Sequence, residues 1–151
     1  MTIPTVPPTE ITDPAEWLRG WITTDRQAAE AALKVAPGEW HDNWGDQDED
    51  DEDVYPVIFT DEQGELLRAE DGMRPVIDHL IRHEPRDVIA RCDAELKLLD
   101  LYTHMLGWND TYDQGVTEHE IRMMQAGARE MLRMLVQGYR HRPGYRPEWT
   151  S

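Results

Sequence analysis

The chain has 151 residues and a formal net charge of −16. Its length suits one domain with a modest core. So large a negative charge argues against direct binding to nucleic acid or to anionic membranes, which would repel it, and favours basic partners. The single cysteine, Cys92, excludes an intramolecular disulfide and is typical of a reducing compartment.

The first twelve residues predict a flexible N-terminal arm, because they hold three prolines and no apolar period. They lack the basic and apolar regions of a secretory signal. No stretch of the chain approaches the roughly 18 apolar residues of a membrane span. The sequence therefore predicts a cytoplasmic protein.

A helix start follows the arm. Asp13 can cap the helix, Pro14 suits its first position, and Glu16 has the spacing of a capping box. The helical spacing of the next apolar residues predicts a buried stripe at Trp17, Leu18, Trp21, Ile22, Ala28, Ala29, Ala32 and Leu33. We expect this helix to end before Pro37.

The middle of the chain predicts a small antiparallel sheet. Residues 54–60 and 65–69 are rich in strand-forming side chains and flank a turn signal. Residues 39–44 would supply the third strand of a three-stranded sheet. Two or three strands are too few to stand alone, so helices must cover them.

An acidic run at residues 46–53 would form the loop before this hairpin. Every residue in the run except Gln47 is Asp or Glu. The EF-hand spacing fails, because Asp51 replaces the required glycine and Val57 replaces the final glutamate. The run is typical of a solvated loop.

Next, a helix–proline–helix elbow is predicted at Pro85, with one helix over residues 75–83 and a longer one over 85–106. The longer helix carries an apolar stripe of Val88, Ile89, Cys92, Leu96, Leu99, Thr103 and Leu106. Cys92 lies on this stripe, which favours a buried structural thiol. Further apolar residues widen the stripe and predict that more than one face is covered: Leu98, Leu101, Tyr102 and Met105.

Thr117 and Glu120 have the spacing of a capping box and begin the last predicted helix, which ends near Gly138. Residues 13–138 form the single predicted domain, and residues 139–151 form a C-terminal arm. The predicted fold is α+β and mainly helical, with three to four helices packed on a two- or three-stranded antiparallel sheet.

His79 and His83 are the candidate metal ligands, since side chains four apart on a helix face one point. Leu80 occupies the position where a hydrolytic HExxH site has its glutamate. No spacing fixes a third ligand, so the alternative is two ordinary histidines near a helix end. We therefore assign no metal and no cofactor.

Aromatic and basic residues near both ends of the domain predict a protein-binding surface, because Tyr, Trp and Arg dominate interface hot spots. The predicted partner-binding residues are Trp40, Trp44, Tyr139, Tyr145, Arg146 and Trp149. The alternative is that the C-terminal arm docks on its own domain.

Three places in the chain carry a family likeness: residues 17–40, residues 78–89 with Lys97, and residues 141–149. The specific motifs are His-x-x-Arg-His-x-Pro from His79 and Tyr-Arg-x-Glu-Trp from Tyr145. On these motifs the chain resembles a family of small uncharacterised proteins from actinobacteria and their phages. It departs from the family in its acidic insertion and at Leu80-Ile81, where the family usually shows Ile-Ala. The resemblance supports the fold outline and implies a phage or actinobacterial origin, but no functional residue.

The leading hypothesis is a non-enzymatic accessory protein of phage or prophage origin that binds a host or phage protein in the host cytoplasm. One alternative is an acidic mimic of nucleic acid that inhibits a host enzyme. A second is a metal-dependent enzyme that uses His79 and His83. Self-association as a homodimer through the long helices is a further expectation.

Overall fold

The computed structural model describes residues 11–42, 57–60, 64–68, 74–107 and 115–151. Four α-helices lie in these ranges: α1 (Pro14–Val35), α2 (Arg74–Arg82), α3 (Pro85–Leu106) and α4 (Glu118–Gly138). A short 3₁₀ helix, Pro147–Trp149, follows them. The prediction of a mainly helical chain with up to four helices is confirmed.

Three short strands also form, namely β1 (Trp40–Asp42), β2 (Val57–Thr60) and β3 (Gly64–Arg68). They pair antiparallel in the order β1-β2-β3, and α2 contacts β1 and β2. The packing of the other helices on these strands stays a prediction. Residues 1–10 of the predicted arm and the acidic run at 46–53 lie outside the described residues.

The chain divides into two units, one made of residues 1–24 and 92–151 and the other of residues 25–91. Both α1 and α3 contribute residues to each unit, with the division after Thr24 in α1 and after Arg91 in α3. The buried side chains of the first unit come from three helices and the residue after α4: Trp17, Leu18, Trp21, Ile22, Cys92, Leu99, Ala128, Leu132, Val136 and Tyr139.

Local signals in the sequence set the helix starts of the first unit. The Asp13 carboxylate accepts the backbone N–H of Ala15 at 3.0 Å, which caps α1 as predicted. The predicted capping box of α4 is also confirmed: Glu120 donates its backbone N–H to the Thr117 hydroxyl, and Thr117 donates its backbone N–H to the Glu120 carboxylate. These two bonds satisfy N–H groups that a helix end leaves without a partner.

Charged groups also lie near one another in the first unit. Burial raises the pKa of Tyr102 on α3, the Asp13 carboxylate raises it further, and Arg129 on α4 opposes them. Arg19 and Asp100 form an ion pair at 2.7 Å, but both side chains are exposed, so it contributes little stability.

The second unit is built around β2 and the elbow. Ile58, Thr60 and Ile77 are buried. The α2 helix ends at Arg82 and α3 begins at Pro85, as the helix–proline–helix prediction required. A carboxylate oxygen of Glu84, in the elbow, accepts the backbone N–H of Trp40 at 2.8 Å. This bond holds the start of β1 against the elbow.

Candidate functional site

The C-terminal segment, residues 139–151, packs on the first half of α1. The ring centroid of Trp17 lies 6.2 Å from that of Tyr145 and 5.1 Å from that of Trp149. Tyr145 and Trp149 meet edge to face at 6.4 Å. Trp17 is only 2% exposed, so this aromatic cluster is part of the protein's own core.

One backbone carbonyl fixes the segment to α1. The Pro143 oxygen accepts the indole N–H of Trp17 at 3.1 Å and that of Trp21 at 3.3 Å. The next residue, Gly144, has φ +80, and a Cβ there would lie 3.0 Å from the Trp17 indole nitrogen. Only glycine meets both conditions without strain.

Two arginines of the segment also lie against rings of the same unit. The Arg142 guanidinium lies 5.0 Å from the Trp21 ring centroid. That of Arg146 lies 5.8 Å from the Trp149 centroid. Both distances are within the range of a cation–π interaction. The Tyr145 hydroxyl is 2.6 Å from that of Thr150.

The other predicted partner-binding residues have intramolecular contacts as well. Tyr139 is buried, and its hydroxyl donates to the Glu95 carboxylate on α3 at 2.6 Å. The Trp40 indole N–H donates to the Ala36 carbonyl at 3.4 Å. Trp44 lies outside the described residues. The structure thus gives Tyr139, Tyr145, Arg146 and Trp149 roles within the fold, and their binding to a partner stays a prediction.

A different surface is open on α3. Leu98 is 36% exposed and Leu101 is 45% exposed. Ala94 is exposed and Met105 is half-buried on the same side of the helix. We call these four residues the outer face of α3. Leu98 and Leu101 are exposed, so the predicted covering of a second face does not extend to these two residues, whereas Cys92 and Leu99 on the opposite side are buried.

Exposed apolar residues on α4 are arranged differently. Met123 is 62% exposed and Met134 is 64% exposed. Between them, Gly127 adds no side chain, and Glu130 forms an ion pair with Arg133 at 3.0 Å. These methionines are therefore isolated, whereas the apolar residues of the α3 outer face follow one another.

The two candidate metal ligands lie side by side. His79 is in the last turn of α2, and His83 is the first residue after that helix. Their ring centroids are 4.4 Å apart and both residues are exposed. In the described part of the chain, no three His, Cys, Asp or Glu residues are grouped as metal ligands would be.

Sequence reasoning missed the part that Trp17 and Trp21 play. The helical spacing predicts only that they belong to a buried stripe, whereas in the structure their indole N–H groups also hold the C-terminal segment. A usable signal was present, since a buried tryptophan usually finds an acceptor for its N–H. The identity of that acceptor was not readable from local sequence.

None of the helices in the described ranges combines the length and the apolar character that a membrane crossing requires. A sequence model of one protein family matches residues 11–151, and its description is a family of unknown function, DUF6221. No curated protein and no solved structure matches the chain.

Proposed function

The chain belongs to the DUF6221 family, whose function is unknown, and we propose that it acts without catalysis, by binding another protein through the outer face of α3. The observation that carries this proposal is the exposure of Leu98 and Leu101 on a helix whose opposite side is core. Removal of apolar surface from water contributes roughly 25 cal/mol of favourable free energy per Å². Binding of a partner that covers these side chains is therefore favoured.

The spacing of the outer face defines the shape of the partner. Ala94, Leu98, Leu101 and Met105 are separated by four, three and four residues. Alternating steps of three and four are those of a helix seam that packs against another helix. The opposite side of α3 is occupied, since Cys92 and Leu99 are buried. We therefore propose that the partner offers an amphipathic helix.

Charge indicates what should surround the apolar stripe of the partner. The net charge of −16 attracts a basic protein and repels a second copy of the chain. We propose a partner helix whose apolar stripe is flanked by lysine or arginine. A homodimer, which the sequence also suggested, is the competing occupant that the experiment must separate.

The family likeness supports the biological setting of this proposal. It suggests an accessory protein of a phage or an actinobacterium, acting on a host or phage protein in the host cytoplasm. The nucleic-acid mimic remains the alternative. It depends on the net charge of −16, part of which lies in the acidic run at 46–53, outside the described residues.

The test uses the untagged chain, coupled to a resin, as bait in an actinobacterial lysate. The test variant is Leu98→Gln with Leu101→Gln, which keeps the helix and removes the apolar stripe. The matched control is Met123→Gln with Met134→Gln, which removes exposed apolar residues from α4. Light scattering on each free protein reports its mass.

We expect the wild type and the α4 control to retain one partner that the α3 variant loses. If the α3 variant retained the same partner, the proposal would be wrong. If light scattering gave twice the chain mass for the wild type but a single chain mass for the α3 variant, the outer face of α3 would bind a second copy of the chain. Capture of an enzyme that acts on nucleic acid, with binding that weakens steeply as the salt concentration rises, would instead support the nucleic-acid mimic.

A further inference from the structure

The imidazoles of His79 and His83 are arranged as a pair at the elbow between α2 and α3. Their ring centroids are 4.4 Å apart and the ring planes are inclined by 57°. Both residues are exposed, so solvent ions reach them. The pair shares no residue with the α3 outer face, so metal binding here does not require the proposed partner.

The backbone holds the two histidines in place before any ligand arrives. The N–H of His83 donates to the carbonyls of His79 and Leu80, both at 3.2 Å. Ile77 and Pro85 are buried on either side of the pair. A site on fixed backbone binds more tightly than one on a mobile loop, because less conformational freedom is lost.

We propose that His79 and His83 together bind one divalent transition-metal ion of the copper, nickel and zinc group. Imidazole nitrogen is a preferred ligand of these ions. Metal–nitrogen bonds of about 2.0–2.1 Å place two ligand nitrogens roughly 3 Å apart. Rings with centroids 4.4 Å apart reach that separation by side-chain rotation alone. Water fills the remaining coordination positions.

The surrounding charges have opposite effects on a cation at this pair. The positive charges of Arg82 and Arg86, in the same segment, disfavour a bound cation. The negative charges of Asp78, Glu84 and Asp87 favour one. The net charge of −16 raises the local concentration of all cations. With two protein ligands the site is weaker than a closed structural zinc site, which has four.

The acidic run at 46–53 would bind divalent ions through oxygen, so the experiment must separate the two sites. Carboxylates accept magnesium, whereas imidazoles do so poorly. We would therefore strip the untagged full chain with a chelator and titrate it with Ni²⁺ by calorimetry in excess magnesium. The variants are His79→Asn and His83→Asn. The control is His119→Asn, an exposed histidine on α4 that has no second histidine one turn away.

We expect one Ni²⁺ per wild-type chain, affinity weaker by about tenfold or more in each test variant, and no change in the control. Unchanged affinity in both test variants, or no binding by the wild type in magnesium, would overturn the proposal. Circular dichroism would check that the variants fold. For the wild type, Cu²⁺ should broaden the NMR signals of these two imidazoles before the other four, and equal broadening of all six would also overturn it.

Discussion

The C-terminal segment and the outer face of α3 both carry residues suited to binding another protein, yet the fold treats them in opposite ways. Trp17 beneath the segment is 2% exposed, whereas Leu101 on α3 is 45% exposed. The segment's aromatic rings contact one another and α1. Leu98 and Leu101 on α3 remain open to solvent.

This difference shows that residue type alone does not identify a binding surface. Tyr, Trp and Arg are enriched in interfaces, but they also suit a core edge, because each joins an apolar body to a polar group. Tyr145 and Arg146 are used in this way inside the first unit. Leucine is an ordinary core residue, and here its exposure is what identifies the candidate surface.

The substitution Trp17→Ala should show the largest effect, because it empties a core position and removes one bond to Pro143. We expect a loss of about 3–5 kcal/mol in the free energy of unfolding, measured by urea denaturation. Trp17→Phe, which keeps a ring but no N–H donor, should lose less. A loss below about 1 kcal/mol for the alanine variant would mean that the segment does not depend on this ring.

Tyr139→Phe should have the next largest effect. It removes the hydroxyl that donates to Glu95 at 2.6 Å and leaves the carboxylate without that donor. A hydrogen bond to a charged group contributes about 1.5–3 kcal/mol, and we expect a loss in this range by urea denaturation. Partner capture should be unchanged, and if capture failed while stability held, Tyr139 would belong to the binding surface after all.

Gly144→Ala tests the close approach of the segment to α1. The positive φ and the 3.0 Å approach to the Trp17 indole both disfavour a side chain. We expect a loss of about 1–2 kcal/mol, measured by thermal and urea unfolding together. Gly127→Ala is the matched control, because its Cβ meets nothing within 4 Å and alanine favours a helix. Equal losses in both variants would refute the close approach.

Thr117→Ala removes a helix cap that belongs to neither of these two regions. We expect a loss of about 1 kcal/mol in the free energy of unfolding, because the α4 cap is lost.

The cap also predicts a pH dependence. The backbone and hydroxyl of Thr117 donate to Glu120 and lower its pKa. Because the folded pKa is below the unfolded one, this stabilisation is present above the unfolded pKa and is lost as pH falls through the folded pKa.

Unfolding measured across the acid range should therefore show a smaller pH dependence in Thr117→Ala than in the wild type. The difference in stability between the two proteins should be largest near neutrality, and it should shrink as the pH falls through the carboxyl range, because the contribution of the hydroxyl is lost once Glu120 is protonated in the folded state. The alanine variant keeps the backbone N–H that donates to Glu120, so an identical pH profile in the two proteins would mean that the Thr117 hydroxyl does not lower the pKa of Glu120.

Much of the helical fold could be predicted, because its signals are local. Asp13 caps α1, Pro85 begins α3, and Thr117 with Glu120 begins α4. Each of these features depends on residues within one turn of the helix. The helix boundaries therefore follow from short stretches of sequence.

Neither the docking of the C-terminal segment nor the exposure of the α3 outer face could be predicted in the same way. Trp17 and Pro143 are 126 residues apart, and no local pattern indicates that they meet. The apolar stripe of α3 showed that the helix has more apolar residues than one face needs, but not which face is covered. Leu99 is buried and Leu98 is exposed, which only the packing of the first unit decides.

The most direct test of the central claim is the dissociation constant of the captured complex for Leu98→Gln with Leu101→Gln. We expect binding weaker by roughly tenfold or more, which is about 1.4 kcal/mol or more. The free energy of unfolding should stay within about 0.5 kcal/mol for each exposed substitution. An unchanged dissociation constant in this variant, or an equal weakening in the Met123 and Met134 control, would contradict the assignment of the α3 outer face.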